Sequence, residues 1–454
     1  METVGEIIGQ MRAAAPEGQA YPDRAALRLL GELTQSLRSA KEGTVAELDR
    51  FLAVRQRGLC LPEPGLANWL DGAAVLVTGG TGCIGSTLMA QLAARHPGRL
   101  VSLSRGVTDG WPRQPAAEYR HADIRDRAAL RRVIQDVRPD VVFHVAAQRS
   151  PALAEVEVHR TVSTNVLGTR NVLAEAAAAG VPQVVTASTG KALRPYSPEV
   201  YTASKRAAEW LASAAADDGM RCGAARFTHV LDNSIIYQRL LGWAGHGVVR
   251  LHSPDTAFYV QSALESAHLL LVAGLGSRRG EFRVHAITDL GWPVSLLDLA
   301  LGVLERSGSA TPVYFSGYDQ GYEEVPFPGL YDPATAGDAS PLLNAFETAT
   351  ASPAPCPMVD ASRLEFGRSP EPVSALAGLE RVCARTMDAG VVRGALSELS
   401  WSLLDAALDT AHRQALARAA ALAGSYRHSL RPDHQRVLAA IQLHADRASQ
   451  GAHT

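Results

Sequence analysis

The chain has 454 residues, 46% hydrophobic and 20% charged, a length that holds two to four globular units at about 100–200 residues each. This composition excludes disorder over most of the chain. The formal net charge of −2, from 44 basic and 46 acidic residues without a block of like charge, excludes the electrostatic footprint of a nucleic-acid or membrane-surface partner. Of the 44 basic residues only Lys41, Lys191 and Lys205 are lysines, so each lysine in this arginine-rich chain asks for a reason.

The opening METVGEIIGQ lacks a basic region followed by an apolar core, and no later stretch offers 18 uncharged apolar residues, so a soluble, cytoplasmic protein is expected. Cys60, Cys83, Cys222, Cys356 and Cys383 are far apart and form no CxxC or CxxH pair; neither a disulfide framework nor a metal site is expected. Residues 1–70 read as an N-terminal helical extension, with apolar residues at three- and four-residue spacing over Arg24–Leu37 and Thr44–Val54. At Ala73 the pattern changes to AAVLVT, a short β-branched run, followed by GGTGCIG and a helix over Ile84–Arg95.

Strands are then predicted at Leu100–Leu103, Val141–His144, Gln183–Ala187 and Cys222–Phe227. Helices are predicted at Arg127–Val137, Val158–Ala179 (one long helix) and Tyr201–Ala215. This alternation defines an α/β fold, a doubly wound parallel Rossmann sheet over residues 71–227. Beyond it, Gly- and Pro-punctuated segments over 228–345 read as a smaller substrate-side domain, with a strand (Glu281–Ala286) and a helix (Ser295–Glu305). A Pro- and Ala-rich connection, ATASPAPCP, leads to a C-terminal helical appendage over 365–454, read as a packing surface without chemistry.

Gly79, Gly82 and Gly85 form a GxxGxxG turn between strand and helix, where a backbone free of Cβ atoms and a helix N-terminus receive a pyrophosphate. Thr81, Cys83 and Ile84 share that turn and are assigned with it to cofactor binding. The second strand ends in VSLSRG without a carboxylate to grip a ribose 2′-OH. Ser104 and Arg105 are suited to a 2′-phosphate there, which favours NADP over NAD. Tyr201 and Lys205, at i and i+4, share a helix face. An ammonium beside a phenol lowers the phenol's pKa, letting Tyr201 exchange a proton near neutral pH while Thr189, after the preceding strand, orients the substrate oxygen.

Together with DIRDRAAL, RPDVVFHVAAQ, TNVLGTRNVLAEAAAAGV, STGKALRP and YTASKRAAEWL, these motifs resemble the extended short-chain dehydrogenase/reductase superfamily. Within it the chain resembles the capsular-polysaccharide type of nucleotide-sugar 4,6-dehydratases and epimerases, over about residues 73–325. The resemblance implies that Asp123 and Ile124 contact the adenine, that Ala146 and Ala147 line the cofactor, and that Asn165 supports the active-site helix. It implies a catalytic set of Thr189, Tyr201 and Lys205, a reaction through a transient ketone, and a homo-oligomer built on the two long helices.

Several positions depart from that pattern. Gly190 stands where the dehydratases carry an acid, and glycine cannot protonate a leaving hydroxyl. Thr228-His229 replaces a Gly-Asn step, Ala257 an arginine for the diphosphate, and Asp319-Gln320-Gly321-Tyr322 an Arg-Pro-Gly-Glu segment. Lys191 is retained and is read as a catalytic base. Arg149, Arg194 and His229 are candidate ligands for a small-molecule substrate other than an ordinary nucleotide sugar. The expected activity is NAD(P)-dependent epimerisation or dehydration of a sugar-like or nucleotide-sugar-like secondary alcohol through a transient ketone. The alternatives are net NADP-dependent redox chemistry on a non-nucleotide molecule, and a non-catalytic cofactor-binding scaffold.

Overall fold

The computed structural model describes residues 2–18, 21–106, 111–245, 247–319, 339–367, 369–425 and 432–450. The chain forms two compact units. One comprises Met1–Arg57, Thr228–Ala263 and Leu290–Asp319; the other comprises Gly58–Phe227, Leu264–Asp289 and Gln320–Thr454.

The second unit is organised by runs of apolar residues that bury both faces of a sheet. Its strands are β1 (Ala74–Thr78), β2 (Arg99–Ser104), β3 (Glu118–His121), β4 (Val141–His144) and β5 (Gln183–Thr189). They continue with β6 (Arg221–Phe227), β7 (Arg283–Ile287), β8 (Ala351–Pro353) and β9 (Val359–Arg363). Their order is β8-β9-β7-β6-β5-β4-β1-β2-β3. All pairings from β3 to β7 are parallel, and β9 and β8 close the other edge antiparallel. The strand order reverses at β1, which lies between β2 and β4. The crevice at the carboxyl ends of β1 and β4 is where open α/β sheets of this kind receive ligands.

Two expectations need correction, and one strand goes unannounced in the sequence. The ATASPAPCP connection is not a linker: its residues Ala351–Pro353 form β8 and pair with β9. Proline is tolerated there because β8 is an edge strand. The single long helix expected over Val158–Ala179 is broken into Val158–Val162, a π-helical stretch Ser163–Gly168 and Thr169–Ala178. Such π-bulges re-aim side chains at functional sites, and this one carries Asn165. Finally β3, with the sequence EYRH, is too polar and too exposed to announce itself as a strand.

The first unit packs the helices Val4–Ala14, Arg24–Ala40 and Thr44–Ala53 with Ile235–Gly245 and Leu296–Arg306. Ile7, Met11, Leu30, Leu37, Leu48 and Phe51 share one core with Leu299, Leu304 and Phe315. Lys41 ends the second of these helices and pairs with Asp298 at 2.6 Å, which gives this lysine a structural reason. Among the described residues no helix is long and apolar enough to cross a membrane, and no cluster of His, Cys, Asp or Glu could hold a metal ion.

Candidate active site

At the end of β1 the chain turns through Gly79, which has φ +78° and would drive a Cβ to 2.7 Å from the Ala146 nitrogen. A Cβ on Gly85 would collide with the Gly79 carbonyl. Both glycines are therefore demanded by the fold itself. Gly82 differs: its φ is −85°, and a Cβ there would meet only the Gly79 oxygen at an ordinary 3.5 Å. It precedes the helix Cys83–Ala93, whose N-terminus has no side-chain cap. An open glycine before uncapped N–H donors fits a dinucleotide phosphate. Thr81 and Ser104 both donate to the Gly106 carbonyl, at 3.1 and 3.0 Å, and tie the turn to the end of β2.

Arg105 at that end is exposed. Asp123 is bound by Arg125 at 2.6 Å; burial raises the carboxyl's pKa, but the Arg125 bonds and the nearby Arg105 charge hold it below the ordinary value. Ile124 is buried, with its side chain against Gly168. Ala146 and Ala147 are half-buried beside the glycine turn.

The catalytic candidates meet at the end of β5. Thr189 is its last residue, and its hydroxyl lies beside the phenol of Tyr201, the second residue of the helix Val200–Asp217. Lys205, one turn further along, donates from Nζ to the Ala187 carbonyl at 2.6 Å. Burial lowers its pKa to about 8 against the pull of Glu209. Tyr201 is also affected by burial, which raises its pKa, and the opposing influences are the nearby Thr189 hydroxyl and the Arg149 charge. Lys205 was expected to lower the phenol's pKa; in this structure its ammonium is turned onto a strand carbonyl instead. Asn165 braces the arrangement. It accepts from the Gln148 N–H at 2.8 Å and donates to the Gln148 carbonyl and to the Ser204 hydroxyl. Behind it, His144 lies between Thr78 and Thr169, kept neutral by burial and the Lys205 charge, with a pKa of about 3.

Lys191 is engaged by Glu199 at 3.1 Å, and Glu199 also takes Arg194 and the Thr202 hydroxyl. Arg194 is buried, whereas Arg149 is exposed. His229 belongs to the first unit, where its Nε2 meets the Ser234 hydroxyl at 2.7 Å and burial lowers its pKa to about 4. Asp319, also in that unit, binds Arg250 at 2.5 Å, and Ala257 lies in a two-residue strand. Gln320-Gly321-Tyr322 lies outside the described residues.

Two features were missed by sequence reasoning. A Cβ on Gly190 would come within 2.6 Å of the Leu342 side chain, so the place of the family's acid is backed by a leucine. Beneath it lies a buried charge cluster. Arg226, with no exposed surface, binds Glu209 at 2.8 Å and Glu347 at 2.5 Å; Arg206 bridges the same two carboxylates, and Ser188 donates to Glu209 at 2.6 Å. An arginine inside the apolar strand CGAARF was the one signal of this cluster in the sequence.

The glycine turn at the switch point, with a Thr-Tyr-Lys set at the end of β5, defines a Rossmann protein of the extended short-chain dehydrogenase/reductase type. The chain belongs to the polysaccharide biosynthesis protein family, whose profile matches residues 75–323. It is 29% identical over 280 residues to the capsular polysaccharide biosynthesis protein CapD of Staphylococcus aureus, covering 57% of this chain and 46% of that one. It is 31% identical over 147 residues to a UDP-N-acetylglucosamine 4,6-dehydratase (inverting) of Campylobacter jejuni, covering 31% of this chain and 43% of the relative. The chain thus spans about half the length of the curated relatives it matches. Among solved structures, Pen from Bacillus thuringiensis shares the fold, with a TM-score of 0.55 and 20% identity over 65% of this chain and 88% of that one.

Proposed function

We propose that this protein is an NAD(P)-dependent enzyme that converts a secondary hydroxyl of a sugar-like small molecule to a transient ketone and back, with epimerisation as the net result. The placement of Thr189 at the end of β5 beside Tyr201, with buried Lys205 one turn further along, carries this reading. When bound, the dinucleotide supplies a reversible hydride acceptor. Thr189 orients the substrate oxygen, and Tyr201 exchanges its proton. Lys205 provides the positive charge that favours the phenolate once its ammonium faces the ligand. Of the cofactor-binding assignments, Gly79, Thr81, Gly82, Cys83, Ile84 and Gly85 form the phosphate cradle, and Ser104 with Arg105 favours NADP. Asp123, Ile124, Ala146 and Ala147 flank the dinucleotide.

Dehydration is the less favoured outcome, because Leu342 fills the space an acid at position 190 would need. The Lys191–Glu199 pair argues that Lys191 serves as a fixed cation rather than as a free amine base. The test is incubation with a panel of UDP- and dTDP-sugars and NADP or NAD, followed by NMR of the products. The expected result is an epimer without net change in absorbance at 340 nm. Stoichiometric formation of reduced cofactor would favour net redox chemistry, and absence of turnover in the wild type and Tyr201→Phe alike would leave only the scaffold reading.

A further inference from the structure

The segment from Gly190 to Glu199, joining β5 to the catalytic helix, is covered and bound by chain that lies beyond residue 323, outside the family match. Leu342 covers Gly190, and Asn344 donates from its side chain to the Leu193 carbonyl at 2.7 Å. Tyr196 stacks on Trp401 with ring centroids 3.9 Å apart and planes 24° from parallel. The Arg436 guanidinium lies 4.0 Å from the centroid of the same indole. One face cannot hold both groups at that distance, so Trp401 is sandwiched between them. The Tyr196 hydroxyl also meets the Ser397 hydroxyl at 3.3 Å.

A second tie reaches the helix itself. The residue before the catalytic helix, Glu199, does not cap it with its side chain. Instead Glu155 accepts from the Val200 N–H at 2.8 Å through Oε1, while Arg393 binds its Oε2 and its carbonyl. Val200 is adjacent to Tyr201. Trp401, Ser397 and Arg393 all lie on the helix Ala389–Thr410, so one C-terminal helix holds both the loop before Tyr201 and the first turn that carries it.

We infer that Trp401 and Arg393 are positioning residues for Tyr201, acting through Tyr196 and Glu155, and that the C-terminal helices are an intramolecular brace on the catalytic loop. The inference deepens the proposed function and rests on Tyr201 being the proton-exchanging group. The physical ground is that a phenol must be held within a fraction of an ångström to share a proton with Thr189 and substrate. Groups packed on a surface loop raise the cost of its local opening beyond what its own bonds supply.

The experiment uses the full chain with Trp401→Ala, Trp401→Phe and Arg393→Met, read by amide hydrogen exchange of peptides covering 190–201 and by titration with NADPH as the cofactor probe. In Trp401→Ala and Arg393→Met, exchange over 194–201 should rise about tenfold or more. Peptides of β1 and of the glycine turn should keep their wild-type exchange, and NADPH affinity should hold. Trp401→Phe should restore protection, because a second aromatic ring still stacks on Tyr196. Unchanged exchange over 194–201 in both variants would overturn the brace, as would a uniform rise across all peptides, which a merely stabilising role predicts. If the loop responds as expected but Tyr201→Phe leaves turnover intact, the catalytic reading fails and the brace stands.

Discussion

Two loops at the carboxyl edge of one sheet are built on opposite principles. The glycine turn after β1 is determined locally: Gly79 and Gly85 are required by backbone atoms within the turn and by the neighbouring strand end at Ala146. The loop after β5 is determined remotely, by Leu342, Asn344 and Trp401, which lie 140 or more residues along the chain. The first kind of loop tolerates change in the rest of the chain. The second ties the chemistry at Tyr201 to the integrity of the C-terminal region.

The largest effect should come from the remotely held loop. Tyr201→Phe should lower turnover by roughly 100- to 10,000-fold, the range for removing a proton-transferring group, while the glycine turn continues to bind NADPH. The same variant supplies the reference for a spectroscopic titration. The difference in phenolate absorbance between wild type and Tyr201→Phe should show a midpoint above the ordinary value of 10.0 in the cofactor-free protein, since burial raises this pKa. A midpoint below that value would contradict the placement of Lys205 on the Ala187 carbonyl.

Next in size is Arg226→Met. Arg226 is fully buried between Glu209 and Glu347, and removing one member of such a cluster leaves uncompensated charge, at a cost of about 3–5 kcal/mol. Chemical denaturation should show that loss. A change under about 1 kcal/mol would mean that the cluster is open to water and does not hold the catalytic loop.

These two loops also explain what was legible in the sequence. Strands β1, β2 and β4 to β7 were readable because buried parallel strands are short apolar runs with glycine or helix boundaries. The glycine turn and the Tyr201–Lys205 spacing were readable because each is a local geometric requirement. The charge cluster was not, because Arg206, Glu209, Arg226 and Glu347 come from three separate regions and only folding brings them together. The edge strands β3 and β8 escaped for a related reason: β3 is polar and β8 contains Pro353, so neither carries the alternation or apolar run that marks a strand. The ion pair of Lys191 was not legible, because nothing in the spacing of Lys191 and Glu199 shows that the buried carboxylate reaches the amine.

A smaller effect tests the leucine behind the catalytic loop. Gly190→Ala should cost about 1–3 kcal/mol, the usual penalty for overpacking, because its Cβ would press on Leu342. In a Leu342→Ala background the same change should cost less, giving a measurable coupling between two positions 152 apart in number. Additive costs would show that the glycine answers to something other than Leu342.

Gly82→Ala should have the smallest effect on stability, and it separates the two kinds of loop most cleanly. Its backbone is in the ordinary region and its Cβ would make an ordinary contact, so by the modest difference between glycine and alanine at a helix N-cap the loss should be about 1 kcal/mol or less. The same methyl group would stand between the backbone and a pyrophosphate approaching the helix N-terminus, so the affinity for NADPH should fall well beyond what the stability change explains. Affinity unchanged in a stably folded Gly82→Ala protein would remove the phosphate from this turn, because nothing in the fold itself asks for a glycine at that position.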